Sequence, residues 1–128
     1  MPYTILLVED DEGVLALISS ALSKEGYRVF GTTGTMEAEQ LWTNPGSSID
    51  LLITDVRLGG EDNGFVLAKE FVAAHPDVPV IFVSGDRDCF ASPSIQLFAD
   101  SPFIPKPFEI KKMLAKVAEV LAKTPGTN

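Results

Sequence analysis

Short apolar runs alternate along the chain with stretches in which apolar residues recur every three or four positions. Runs such as "TILLV" do not alternate with polar residues, which is typical of strands buried on both faces of a parallel sheet. The segments between them contain most of the glycine and charged residues. The runs predict five strands, lying within residues 4–8, 27–31, 49–55, 78–85 and 102–106.

The stretches between the runs have the apolar spacing of amphipathic helices. They predict a first helix that ends near Gly26, a second over about 35–42, a third around 67–72 and a final helix over about 110–121. We expect each apolar stripe to face the core. The stripe residues are Val14, Leu17, Ile18, Ala21 and Leu22, then Leu67, Ala68, Phe71 and Val72, and finally Ile110, Met113, Leu114, Val117 and Leu121.

Residues 88–100 are ambiguous, although a fourth helix is expected there. Pro93 falls where that helix should begin, and proline is tolerated only in a first helical turn. The fourth helix should therefore start near Ser92 and be short. Five strands alternating with five helices predict an α/β fold with a parallel sheet covered on both faces. We expect one domain over residues 1–123 and a frayed tail over 124–128.

The charge balance excludes several classes of function. The 128 residues include 10 Lys and Arg against 18 Asp and Glu, for a formal net charge of −8. Nucleic-acid and anionic-membrane surfaces need an excess of basic residues, so we expect neither partner. The single cysteine permits no internal disulfide, and no apolar run resembles a signal peptide or a membrane span. A cytoplasmic protein is expected.

Polar residues of selected types follow the predicted strands. Glu9 and Asp10 follow the first strand, Asp55 ends the third, Ser84 lies at the end of the fourth, and Lys106 follows the fifth. The carboxyl ends of parallel strands meet at one edge of the sheet, where open α/β folds bind ligands. These three acids, a hydroxyl and an amine should therefore converge. Each residue alone would be an ordinary strand end or cap, but the combination indicates a site.

Clustered carboxylates raise one another's pKa values unless positive charge compensates them. Mg²⁺ is the simplest compensation, because it prefers oxygen ligands and commonly combines one or two carboxylates with a phosphate. An aspartate can attack phosphorus as a nucleophile, while a metal and a lysine neutralise the developing charge. The pattern thus favours a phosphoryl group held by a metal and an amine beside a nucleophilic Asp.

The motifs "LLVEDD", "DLLITDVRL", "VIFVSG" and "KPF" occur in this order, and the chain from Tyr3 to about Ala122 resembles the receiver domain of two-component response regulators. The resemblance implies a flavodoxin-like (βα)5 fold, a doubly wound five-stranded parallel sheet in the order 2-1-3-4-5. It also implies phosphoacceptor signalling rather than a dedicated enzyme, although receivers catalyse their own phosphorylation and dephosphorylation.

The resemblance also assigns roles to residues at the strand ends. Asp55 would be the phosphoacceptor, with Glu9 and Asp10 as the acidic pair that binds Mg²⁺ or Mn²⁺ together with Asp55. The backbone carbonyl of Arg57 would be a further metal ligand. Lys106 would contact the phosphoryl group and precede a cis bond to the next proline.

Ser84 and Phe103 resemble the family's switch residues. The Ser84 hydroxyl would turn inward to the phosphoryl oxygen, and the Phe103 ring would then rotate inward. The face formed by helix four, strand five and helix five would change with them, as a population shift set by the added charge. Arg57 and Asp86 each lie two residues beyond a key strand end, so their opposite charges could pair and modulate the lifetime of the aspartyl phosphate.

The expected phosphodonor is a sensor histidine kinase or a histidine phosphotransfer protein. The output protein is not identified by the sequence, and a homodimer through the helix-four to helix-five face would be usual in this family. Few residues follow Lys123, so we expect no attached output domain. Two alternatives stay open: a degenerate, phosphorylation-independent interaction module, and the receiver portion of a hybrid histidine kinase. An aspartyl-phosphate hydrolase is disfavoured, because "VRL" after Asp55 lacks the second acid of that class.

Overall fold

A computed structural model gives the fold and describes residues 2–44, 48–58, 63–85, 98 and 100–123. Its five strands are β1 (Thr4–Val8), β2 (Arg28–Thr32), β3 (Leu51–Asp55), β4 (Val80–Ser84) and β5 (Phe103–Pro105). The described helices are α1 (Glu12–Lys24), α2 (Thr35–Thr43), α3 (Gly64–Ala74) and α4 (Ile110–Lys123). The predicted start of the short fourth helix, near Ser92, and the tail 124–128 lie outside the described residues. The final helix of the sequence prediction is therefore α4 here.

The five strands form one parallel sheet in the order β2-β1-β3-β4-β5. This confirms the predicted α/β class and the flavodoxin-like order 2-1-3-4-5. Strand β1 lies between β2 and β3, so the direction of strand addition reverses beside it. Open α/β folds place their ligand site at this reversal, beyond the carboxyl ends of the strands.

The sheet separates two apolar layers. On one face, Leu6, Val8, Leu52 and Phe82 pack with buried residues of α2 and α3. On the other, residues such as Ile5 pack with α1 and α4. Successive strand residues point to opposite faces, so a strand covered on both sides needs an unbroken apolar run. Strands β1, β3 and β4 are buried along their whole length, as the sequence pattern predicted.

The predicted core position of Leu17 is wrong, because its side chain is 57% exposed. Helix α1 buries Ile18 and Leu22, with Val14 and Leu15 packed at the margin of the core. Leu17 lies about 100° around the helix from Ile18, since an α-helix has 3.6 residues per turn. Its spacing from Val14 fits a broad apolar stripe, but the buried part of the stripe is narrower.

Candidate functional site

Polar side chains gather at the carboxyl edge of the sheet. Glu9 directly follows β1, Asp55 ends β3 and Ser84 ends β4, and these three residues are 1%, 7% and 6% exposed. Lys106 follows β5 and reaches back across the edge from a partly exposed position. Asp10 is exposed next to Glu9. The edge thus contains buried polar groups between two apolar layers, as the strand-end pattern predicted.

The Lys106 ammonium joins two of the acids. Its Nζ donates to both carboxylate oxygens of Glu9, at 3.1 Å and 3.0 Å. It also donates to Oδ2 of Asp55 at 2.7 Å. These charge-assisted contacts are short and are shielded from water on the side of the acids. One amine therefore bridges the ends of β1 and β3, which lie far from it in sequence.

Main-chain groups hold the same carboxylates from the other side. The Asp11 N–H donates to Oε1 of Glu9 at 3.2 Å, and the Arg57 N–H donates to Oδ1 of Asp55 at 3.1 Å. The Asp11 carboxylate itself accepts from the N–H groups of Gly13 and Val14, so Asp11 is the N-cap of α1. The carboxylates of Glu9 and Asp55 are thus oriented by the turns that follow their strands.

Helix α3 begins directly against the backbone of Asp55. The Gly64 N–H donates to the Val56 carbonyl at 2.7 Å, and Asn63 caps the helix by accepting from the Phe65 N–H. A Cβ atom at Gly64 would collide with the Asp55 carbonyl oxygen. Only glycine permits this close approach, so a residue outside the acidic cluster fixes the main chain of Asp55.

Burial controls the electrostatics of the site. Loss of solvation is the largest influence on the Glu9 carboxyl group and raises its pKa from 4.5 to about 7, against the hydrogen bond from Lys106. The negative charge of Asp55 acts in the same direction as burial. Burial alone would lower the pKa of Lys106, but hydrogen bonds to Asp55 and Glu9 outweigh it and raise that pKa. The Lys106 amine therefore stays protonated, but its one positive charge does not fully compensate the negative charges of Glu9 and Asp55.

The acids could hold a hard cation. Carboxylate oxygens of Glu9, Asp10 and Asp55 lie within 4.8 Å of one another. Glu9 and Asp55 are buried, and Asp10 is exposed. Carboxylate oxygens are the protein ligands that Mg²⁺ prefers, and Mg²⁺ usually keeps several waters, which the exposed side of Asp10 allows. The donor set and its spacing fit the metal that the sequence predicts.

The structure places the remaining predicted residues as follows. The peptide bond between Lys106 and Pro107 is cis, which confirms that expectation. The Ser84 carbonyl accepts from the Lys106 N–H at 2.8 Å. Phe103 is half-buried, and its ring centroid is 5.1 Å from that of Phe82. Asp86 lies outside the described residues, so the proposed pairing with Arg57 stays a prediction.

Two residues at this edge were missed by the sequence reasoning. Thr32 ends β2 and is 3% exposed, and its hydroxyl donates to Oε2 of Glu37 at 2.8 Å. The carboxyl end of β2 lies at the same edge as the other strand ends, so its position in the pattern could have identified Thr32. The contact of Glu37 depends on how α2 is oriented, which no local pattern specifies.

The fold and this edge define a signalling receiver, and comparison with known proteins establishes the family. The model of the response regulator receiver domain matches residues 5–118, so the chain belongs to that family. Receiver domains act as phosphoacceptor signalling domains of two-component systems and are not dedicated enzymes. They interact with sensor histidine kinases and output domains, and the family binds Mg²⁺ at an acidic pocket.

Curated relatives carry this domain within longer proteins. The chain is 36% identical to the sensor kinase CckA of Brucella abortus over 121 residues, which are 94% of this chain and 13% of that protein. It is 35% identical to the transcriptional regulatory protein CssR of Bacillus subtilis, again over 94% of this chain but 52% of the relative. The chain therefore spans about half or less of these relatives.

Solved structures match nearly the whole chain. The non-phosphorylated HemR receiver domain from Leptospira biflexa has a TM-score of 0.82 and 34% identity, covering 98% of this chain and 99% of that one. The response regulator TrrA from Thermotoga maritima, solved in complex with Mg²⁺-BeF, has a TM-score of 0.79 and 22% identity, covering 92% of this chain and 98% of that one. The latter shows the shared fold alone. Within the described ranges, no helix of this chain is long and apolar enough to cross a membrane.

Proposed function

We propose that Asp55 accepts a phosphoryl group from a phosphohistidine and that the domain signals through the resulting change of charge. The observation that carries this proposal is the position of the Lys106 ammonium, whose Nζ lies 2.7 Å from Oδ2 of Asp55. It lies beside a cluster of three acids, Glu9, Asp10 and Asp55, whose carboxylate oxygens are within 4.8 Å of one another. A structural ion pair would not need the additional acids. A nucleophilic carboxylate with an adjacent fixed cation is the arrangement that phosphoryl transfer requires.

In the proposed reaction, an oxygen of Asp55 attacks phosphorus in line with the donor nitrogen. The O–P bond forms as the N–P bond breaks, and the imidazole nitrogen leaves with the bonding electron pair and takes up a proton. The Arg57 N–H, at 3.1 Å from Oδ1, restrains the carboxylate during the attack. Lys106 and the buried Ser84 hydroxyl would each bind a phosphoryl oxygen after transfer.

Glu9, Asp10 and Asp55, with the backbone carbonyl of Arg57, are the proposed ligands of Mg²⁺ or Mn²⁺. When bound, the metal supplies positive charge to the phosphoryl oxygens and holds the donor in place. The residues of the chain provide the rest. Glu9 is oriented by the Asp11 N–H and the Lys106 amine, which keep its carboxylate at the sheet edge.

The proposed switch uses residues that face the same layer of the protein. Strand register pairs Phe82 with Phe103 and Ser84 with Pro105, so Ser84 and Phe103 are close neighbours on β4 and β5. The Phe103 ring stacks on that of Phe82 at an interplanar angle of 20°, and its centroid lies 6.0 Å from the ring centroid of Phe65. Movement of the Ser84 side chain toward a phosphoryl group would free space beside this half-buried ring. The face that includes β5 would then change for an output partner or for a second copy of the chain.

The donor would be a sensor histidine kinase or a histidine phosphotransfer protein in the cytoplasm, acting on a receiver unit of residues 1–123. The similarity to CckA supports a second context, the receiver portion of a hybrid kinase. The similarity to CssR equally supports a regulator with a separate output region. The proposed chemistry at Asp55 is the same in both contexts.

Intact mass spectrometry tests the proposal. The wild-type protein, Asp55→Asn and the control Asp50→Asn are each incubated with Mg²⁺ and acetyl phosphate. Asp50 directly precedes β3, so it lies at the amino end of the strand whose carboxyl end is Asp55. We expect a Mg²⁺-dependent gain of one phosphoryl group in the wild-type protein and in the control, but not in Asp55→Asn. Absence of any gain, together with failure to bind beryllium fluoride, would instead support the degenerate interaction module.

Arg57 is proposed to modulate the lifetime of the aspartyl phosphate. Its side chain is exposed and its main chain bonds to Asp55, so it lies at the mouth of the site. Arg57→Ala should change the dephosphorylation rate, measured as the decay of the phosphorylated mass after removal of the donor. Equal lifetimes in the wild type, Arg57→Ala and Asp86→Ala would refute this role.

A further inference from the structure

The end of β2 carries a polar junction that the proposed chemistry does not use. Thr32 is 3% exposed, and its hydroxyl donates to Oε2 of Glu37 at 2.8 Å while accepting from the Gly34 N–H at 3.2 Å. Glu37 belongs to the first turn of α2. A buried hydroxyl bonded to a carboxylate is a strong contact, and here it closes the turn between β2 and α2.

This junction is joined to the acidic site through the main chain. Thr32 pairs with Val8 in the β1–β2 ladder. The residue after Val8 is Glu9, and its N–H donates to the Thr32 carbonyl at 3.1 Å. The β1–β3 ladder ends with the pair Val8 and Thr54, so the pairing on that side stops one residue before Glu9. The backbone position of Glu9 therefore depends on Thr32.

We propose that Thr32 and Glu37 are positioning residues for the acidic site. Their hydroxyl–carboxylate bond fixes the turn after β2, the turn fixes the Thr32 carbonyl, and the carbonyl holds Glu9 where its carboxylate meets the other acids. This inference rests on the proposed role of Glu9 as a Mg²⁺ ligand. Groups that orient metal ligands from behind commonly change metal affinity by about 10- to 100-fold when removed.

Two simpler roles make different predictions. If the junction only caps α2, its loss should weaken the helix and leave Glu9 unaffected. If Glu37 acts only through its negative charge, then Glu37→Gln should weaken Mg²⁺ binding, although glutamine keeps an acceptor for the Thr32 hydroxyl. The positioning role predicts that Thr32→Val, which keeps the charge of Glu37 but loses the hydrogen bond, has the larger effect.

The experiment compares Thr32→Val, Thr32→Ser and Glu37→Gln with the control Thr43→Val. The Thr43 hydroxyl bonds to the carbonyls of Glu39 and Gln40 at the exposed end of α2, away from the site. Two quantities are measured for each protein: the hydrogen-exchange rate of the Glu9 amide without metal, by NMR, and the dissociation constant for Mg²⁺. Circular dichroism establishes that each variant is folded.

We expect Thr32→Val to speed exchange of the Glu9 amide and raise the Mg²⁺ dissociation constant, each by about tenfold. Thr32→Ser, Glu37→Gln and Thr43→Val should stay within about threefold of wild type. Faster exchange with unchanged Mg²⁺ affinity, equal behaviour of Thr32→Val and Thr43→Val, or an equally large effect of Glu37→Gln would each overturn the inference. If Thr32→Val does not fold, the other two variants still test the inference: a loss of Mg²⁺ affinity in Thr32→Ser or in Glu37→Gln would overturn it. A wild-type protein that binds no Mg²⁺ would overturn the proposed function itself, whereas wild-type binding without the Thr32→Val effect overturns this inference alone.

Discussion

The buried carboxyl group of Glu9 should make the stability of this domain depend on pH near neutrality. Glu9 is 1% exposed, and burial raises its pKa from 4.5 to about 7 in the folded protein. Between these two values, the folded protein holds a proton that the unfolded chain has lost. The free energy of unfolding therefore decreases as pH rises through this range, because deprotonation favours the unfolded chain.

The magnitude follows from the two pKa values. Each pH unit of difference corresponds to about 1.4 kcal/mol, so a change from 4.5 to about 7 corresponds to about 3 kcal/mol. The low exposure of Glu9 means that solvent screening reduces this amount little. A domain of this size typically has about 5–15 kcal/mol of stability in total, so the effect should be easy to measure.

Urea unfolding of the metal-free protein between pH 5 and pH 8 tests this prediction. Glu9→Gln has nearly the same shape as protonated Glu9 and cannot ionise, so its stability should exceed that of the wild type by less than about 1 kcal/mol at pH 5 and by about 3 kcal/mol at pH 8. Glu39→Gln, on the exposed surface of α2, is the matched control and should follow the wild type. A stability difference between Glu9→Gln and the wild type that is constant across this pH range would refute the reasoning.

Two further substitutions test how the main chain near the site and at the far edge of the sheet is held. Gly64→Ala should lower the rate of Asp55 phosphorylation, and it should lower the free energy of unfolding by about 1–3 kcal/mol, because the added methyl group would displace α3 from the Asp55 backbone. A phosphorylation time course and urea unfolding measure the two effects. Gly34→Ala is the control, since a Cβ atom there meets nothing within 4 Å, and a loss in Gly64→Ala no larger than in this control would contradict the prediction. Asp50→Ala removes the acceptor that lies 2.8 Å from the partly buried Thr4 N–H and should lower the free energy of unfolding by about 1–2 kcal/mol. Asp50→Asn keeps an acceptor there and should retain most of that stability, so equal unfolding midpoints of Asp50→Ala and the wild type would exclude a role for this bond.

The sheet could be predicted because its central strands obey one simple constraint. Leu6 faces one apolar layer and Leu7 the other, so both must be apolar when helices cover both sides. No such constraint acts on a helix, where the width of the buried stripe depends on how neighbours pack. Leu17 shows this limit: its spacing fits an amphipathic helix, yet α1 buries only the narrower row that includes Ile18.

The convergence of the site could also be predicted, but its contacts could not. The rule that parallel strands end at one edge brings Glu9, Asp55 and Lys106 together regardless of their separation in sequence. Nothing in the sequence indicates that a single amine reaches both acids. The junction of Thr32 with Glu37 was missed for a related reason, since it depends on the orientation of α2 above the sheet.

The charges at the sheet edge explain why such a site is both unfavourable for stability and suited to signalling. Among the residues that the structure describes, the carboxylates of Glu9, Asp10 and Asp55 lie together with the ammonium of Lys106, and full ionisation of these four groups leaves an excess of two negative charges. A divalent cation offsets that excess, and binding to the folded state alone adds stability by mass action. Phosphorylation of Asp55 would replace one carboxylate charge by nearly two phosphoryl charges. Because the same few groups must balance each state, a change at Asp55 alters the forces on Lys106 and Ser84, and through β4 and β5 on the stacked ring of Phe103.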